Sequence, residues 1–237
     1  MIRKSAAVSL TALAVVAGAA AGMPTAAAAP SGPIPQFWES GNGSDLAGLL
    51  LKENQVAPLV GVPSVKVLNK SAKFYDDSSV IDNAECLGAW APAQAKSYDG
   101  SGATDVRSEV MGHNKLVILR DRLVVESVVG FPTADQASKY LDHAADSWKG
   151  CANRQVTTTP DASDTPQQWQ FGQPAVENNG TVITLKRTST GEGLGACERA
   201  MGGRYNVAID VMVCGGDPTG QAAKIVPEIG KSIPKAG

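Results

Sequence analysis

Residues 197–215 read CERAMGGRYNVAIDVMVCG, and the reading of this stretch decides the fold. Cys197 and Cys214 bracket a run in which apolar residues recur at every second position, the mark of a β-strand. Tyr205, Val207, Ile209, Val211 and Val213 share one side; Asn206, Ala208, Asp210, Met212 and Cys214 share the other. The first side is core, while the second is mixed, small and polar. If the second side is covered, Asp210 needs a partner, because an unpaired buried charge is costly. Arg199 and Arg204 are the nearby candidates. If that side lines an open cleft, Asp210 and Asn206 contact a ligand. Two antiparallel strands turning near Gly202-Gly203 would bring Cys197 to Cys214.

The start of the chain sets the compartment, and with it the meaning of the cysteines. MIRKSAAVSLTALAVVAGAAAGMPTAAAAP opens with Arg3 and Lys4, continues in an apolar stretch to about Gly22, and ends in small residues at Ala26 to Ala29. That is the layout of a secretory signal peptide, with cleavage expected near Ala29. At about 17 apolar residues, mostly alanine, the run is marginal for crossing roughly 30 Å of hydrocarbon. No other segment reaches that length, so no membrane span is expected in the mature chain, and no lipid-attachment cysteine stands near the cut. Loss of Arg3 and Lys4 takes the net charge from −2 to −4. No basic stripe suggests a nucleic-acid groove, and no polybasic patch suggests a membrane surface.

Four cysteines in an exported chain read as disulfides. Zinc would want close cysteine pairs with histidines nearby. The nearest pair here is 17 residues apart, and the histidines are His113 and His143 alone. With Cys197 joined to Cys214, Cys86 is left for Cys151. Loop closure makes these worth roughly 3 and 4 kcal/mol. No metal or cofactor is expected.

Residues 30–44, rich in Pro, Gly and Ser, read as a flexible lead-in carrying Phe37 and Trp38. Short helices are expected over 45–61, a strand over 65–69, and a helix over 86–98 despite Pro92, its regular part beginning near Ala91. On that helix Trp90, Gln94 and Tyr98 would form one ridge at four-residue spacing. The ridge is either core or one wall of an amphipathic pocket. Strands follow at 103–111 and 116–131, with a turn or bulge at Arg120-Asp121-Arg122. Thr133 caps a helix whose apolar stripe runs from Ala134 to Trp148, leaving His143 off it. Short strands at 153–175, a strand at 181–189 after Asn179-Gly180, and a helix over 218–233 kinked by Pro227 complete the chain. Strands joined by short turns, with helices interspersed, give an α+β fold: an antiparallel sheet packed with helices.

Catalytic signatures are missing. G-x-S-x-G and H-E-x-x-H do not occur, and GEGLG at 191–195 lacks the lysine of a phosphate loop. The aspartates at 76, 77, 161 and 164 do not follow calcium-loop spacing.

Taken together, CLGAWAPAQAKSYDGSG, VVESVVGFPTADQASKYL, SWKGCANR, WQFG and the opening stretch resemble the PknH-type extracellular sensor domain of actinobacteria across roughly residues 46–237. The resemblance implies an antiparallel sheet with helices, a ligand cleft, and the pairs Cys86–Cys151 and Cys197–Cys214. It also implies a family found both as the outer part of receptor kinases and as free-standing exported proteins. Neither a kinase domain nor a following membrane span is present in this sequence. The expectation is a secreted, non-catalytic domain of 45–237. It would bind a small molecule or cell-envelope component near Trp90, Gln94, Tyr98, Asn206 and Asp210. The alternatives are a module that docks on an envelope protein through a sheet edge or residues 30–44, and an unrecognised hydrolase.

Overall fold

The computed structural model describes residues 44–113, 122–159, 165–190 and 195–233. The expected signal peptide, almost all of the expected lead-in, residues 116–121 of the 116–131 stretch with most of the expected Arg120-Asp121-Arg122 turn, most of GEGLG and most of the 160–166 loop therefore lie outside the described residues.

The opening stretch forms a hairpin of β8 (Ala196–Arg204) and β9 (Val207–Cys214). Cys197 and Cys214 sit directly opposite each other and are joined, as are Cys86 and Cys151. With the cysteines in register, the hairpin must turn midway between them, at Tyr205-Asn206. The expected turn at Gly202-Gly203 is thus corrected: both glycines lie inside β8. They are needed for close approach from the two faces. A Cβ on Gly202 would meet the Thr181 carbonyl oxygen at 2.8 Å and Val226 at 2.9 Å; one on Gly203 would meet Leu141 at 2.5 Å.

Around this hairpin the chain builds one antiparallel sheet. Its strands are β1 (Lys66–Ser71), β2 (Asp105–Gly112), β3 (Leu123–Gly130), β4 (Gln155–Thr158), β5 (Gln167–Phe171), β6 (Ala175–Glu177) and β7 (Val182–Ser189), besides β8 and β9. The order across it is β1-β2-β3-β9-β8-β7-β5-β4, with β6 added on β7. β9 is interior, and all eight of its residues are buried.

Each face carries its own helices. On the first lie α1 (Ser44–Ala47), α2 (Glu53–Leu59) and α6 (Gln221–Ser232). Their Leu46, Val56, Ile225 and Ile229 pack on Val207, Ile209, Val211 and Val213 of β9. On the second lie α3 (Leu87–Trp90), α4 (Ala95–Tyr98) and α5 (Ala134–Cys151). Here Leu87, Tyr98, Tyr140 and Trp148 pack over Val125, Val129, Ala208 and Met212. Thr133 caps α5 by accepting from the Gln136 amide, and Ala137, Tyr140, Ala144 and Trp148 make its buried stripe.

Two buried carboxylates fasten the first layer. Glu198 of β8 accepts from the amides of Gly220 and Ala222, at 2.7 and 2.9 Å, satisfying the otherwise bare start of α6. Glu126 of β3 accepts from the Leu51 amide at 3.1 Å and so fixes the segment joining α1 to α2.

Glu126 is wholly buried, and burial, reinforced by the nearby Glu109, pushes its carboxyl from 4.5 up to about 8 despite the Leu51 donor. The native state therefore holds this proton more tightly than the unfolded chain. The group's contribution to stability is full below about pH 4.5 and is lost as pH rises through 8, at up to about 1.4 kcal/mol per pH unit. Urea unfolding between pH 5 and 9 should show this decline, and Glu126→Gln should flatten it.

Candidate functional site

Pro92 shapes the site. The residue before a proline is driven to extended geometry, and Ala91 has φ −141° and ψ 151°. The stretch 86–98 is therefore two four-residue helices, α3 and α4, separated by residues 91–94. The expected single helix is corrected, including its regular part beginning near Ala91. Trp90, Gln94 and Tyr98 accordingly do not share a helical ridge.

The break turns backbone groups towards the sheet. The Ala93 amide donates to Asp210 Oδ2 at 3.0 Å, and the Tyr98 hydroxyl donates to the same oxygen at 3.2 Å. Arg199 Nη2 donates to Asp210 Oδ1, and both side chains are 1 % exposed. Arg199 Nη1 donates to the Gly88 carbonyl at 3.1 Å, which also accepts from Trp148 Nε1 at 3.2 Å. Burial pushes the Asp210 carboxyl up, while Arg199 and the Ala93 and Tyr98 donors pull it back down. Burial, with the neighbouring Tyr140 and Asp210, also holds the Tyr98 phenol well above its ordinary value. The Tyr98 and Tyr140 rings stack at 4.2 Å.

The other expected residues take different places. Gln94, fully buried, accepts from the Asp77 amide at 2.9 Å and donates to the Asp77 carboxylate at 2.7 Å, pinning the preceding loop. Trp90, half-buried, meets Trp169 edge-on at 5.2 Å and lies against Arg187. Asn206 lies apart, in the hairpin turn, where its Nδ2 donates to the Phe131 carbonyl at 2.7 Å. The structure thus brings Tyr98 to Asp210, seats Gln94 against Asp77 on the segment next to Ala93, and places Trp90 and Asn206 elsewhere.

Above this buried network an open groove runs along α5. One part, about 190 Å³, is bounded by Glu85, Lys96, Ser147 and Trp148. The adjoining part, about 370 Å³, is bounded by Ser101, Gln136 and Lys139. Ser97, Asp99, Tyr140 and His143 line both. His143 was legible as a side chain off the apolar stripe of α5. The groove was not, because it depends on where the broken helix lies. Among the described residues, no group of three or more His, Cys, Asp or Glu side chains is placed to hold a metal ion. No helix among them is long and apolar enough to cross a membrane.

Comparison with known proteins places this architecture. The profile of the PknH-like extracellular domain matches residues 42–231. This chain belongs to the PknH-like extracellular domain family. The serine/threonine-protein kinase PknH of Mycobacterium bovis is 33% identical over 194 residues, covering 80% of this chain and 31% of that kinase. PknH of Mycobacterium tuberculosis is equally similar, over 29% of its length. The chain thus spans under a third of these relatives. The crystal structure of the extracellular domain of PknH from M. tuberculosis superposes with a TM-score of 0.74 at 28% identity. It covers 82% of this chain and 97% of that one.

In this PknH-like domain, removing one member of the buried ion pair strands the other. Asp210→Ala should cost about 3–5 kcal/mol in urea unfolding, and the joint change Asp210→Leu with Arg199→Met should recover most of the loss.

Proposed function

We propose that this domain is a non-catalytic, exported sensor module that binds a small polar molecule or cell-envelope component in the groove between α4 and α5. The observation that carries the proposal is the construction of the groove. Its floor is aromatic and its wall is pinned from beneath, while its rim carries Lys96, Asp99, Lys139 and His143. An apolar base with a few fixed polar groups is the usual form of a ligand site. Asp210, Tyr98 and Gln94 are positioning residues in this reading. They hold the broken helix, and so the groove wall, in place.

Two features support export. The N-terminal sequence has the layout of a signal peptide, and two disulfides suit an oxidising compartment. A hydrolytic role would call for an activated nucleophile. The Ser97 hydroxyl in the groove instead donates to the Gln94 carbonyl at 2.8 Å.

Native mass spectrometry of protein secreted by its own host tests the proposal. A co-purifying mass is expected. Ser147→Trp, which fills the groove from an α5 position, should reduce its occupancy at least tenfold while shifting stability by no more than about 0.5 kcal/mol. Occupancy unchanged by Ser147→Trp would rule out the groove. A co-purifying protein lost on deletion of residues 30–44 would favour a docking module instead.

A further inference from the structure

We propose that Arg187 is an anion receptor: the side-on edge of its guanidinium, with the indole N–H of Trp169, takes the carboxylate of a small organic acid. This site is distinct from the α4–α5 groove, which neither residue lines.

Arg187 stands on β7 and points into the second face of the sheet, on the same side as Cys197 directly opposite it. It is 4% exposed. Buried charges are ordinarily paired, since removing an ion from water costs several kcal/mol. Among the described residues no carboxylate forms an ion pair with Arg187. Asp210 is taken by Arg199. Asp77, the acid that favours the Arg187 charge from a distance, is held by the Gln94 amide. Burial first, then the neighbouring Arg199 charge, holds the Arg187 guanidinium well below the ordinary arginine value.

What surrounds the guanidinium is a set of weak substitutes. Its carbon lies 3.5 Å from the Trp90 ring centroid and 5.1 Å from that of Trp169. Nη1 donates to the Trp90 carbonyl. Nη2 reaches only the Met212 thioether, at 3.3 Å, a poor acceptor. Nε has no partner. Nε and Nη2 share one edge of the guanidinium plane, so the edge that matches a carboxylate in bidentate fashion has no oxygen on it.

The neighbouring groups show the same imbalance. Trp169 Nε1 and Arg199 Nε are also buried without acceptors. Trp169 lies on β5, the strand next to β7, where Phe171 is paired with Arg187. Three orphaned donors remain in a region whose two aspartates, Asp210 and Asp77, are both already engaged. Orphaned buried groups call for an occupant. A carboxylate supplies both the charge and the two acceptor atoms in one plane, and the Trp90 and Trp169 rings flank the guanidinium that would receive it.

The full chain is titrated with acetate at pH 7 and fixed ionic strength, with chloride and phosphate as comparators. Tryptophan fluorescence and the thermal midpoint are followed. Expected are a saturable fluorescence change and a raised midpoint with acetate. The apparent affinity should fall at least tenfold in Trp169→Phe, and the response should vanish in Arg187→Met. Should Arg187→Met fail to fold, Trp169→Phe decides. Ser147→Trp should leave the acetate response intact, which separates this site from the groove. A non-saturating response, one equal for all three anions, or one unchanged in Trp169→Phe would overturn the proposal.

Discussion

The ion pair between Asp210 and Arg199 organises one whole side of this domain. β9 is covered on both faces, so a carboxylate in its middle has no access to water. A charge in that position is tolerable only when it is paired and fully hydrogen-bonded. Arg199 supplies the countercharge, and the Ala93 amide and Tyr98 hydroxyl supply the remaining donors. The Ala93 amide is free to do so because Pro92 has broken the helix. Arg199 in turn needs an acceptor, and finds one at Gly88. The path of residues 88–98 over the sheet is thus set by the requirements of two side chains on β8 and β9. Such a pair adds little net stability over a well-packed apolar core, but removing either member leaves the other as an uncompensated buried charge.

The opposite face is fastened by carboxylates bound to backbone amides, Glu198 at the start of α6 and Glu126 beneath Leu51. The exposed edges of the sheet are guarded as well. β1 carries Lys66 and Lys70, both in surface ion pairs, and its register slips between Val67 and Asn69. Lysines and bulges deter edge-to-edge association. At the other edge, residues 80–82 run beside β4, with Asp82 and Thr159 amides donating to the Thr157 and Val80 carbonyls.

Much of this was legible in the sequence, and for identifiable reasons. The alternation in β9, the stripe of α5 with its Thr133 cap, and Arg199 as partner of Asp210 all depend on local spacing. The misreadings came from long-range contacts. Gly202 and Gly203 look like a turn, yet they are there because Val226 and Leu141 approach from opposite faces. Residues 86–98 carry helical spacing, but Pro92 and the demand of Asp210 for the Ala93 amide override it. Glu126 and Glu198 gave no local sign of burial, since each is held by an amide distant in sequence. Arg187 was equally silent, because an arginine in an alternating strand reads as solvent-facing until Trp90 and Trp169 are seen to cover it.

The Cys86–Cys151 bridge has a mechanical consequence. It ties the beginning of α3 to the end of α5, beside Glu85 and Ser147 at one extremity of the groove. The other extremity, between Ser101 and Lys139, has no such crosslink. The two walls are therefore riveted at one end like the jaws of a pair of tweezers. Any spreading of the walls must widen towards the Lys139 end, so that end is the hinge's open side.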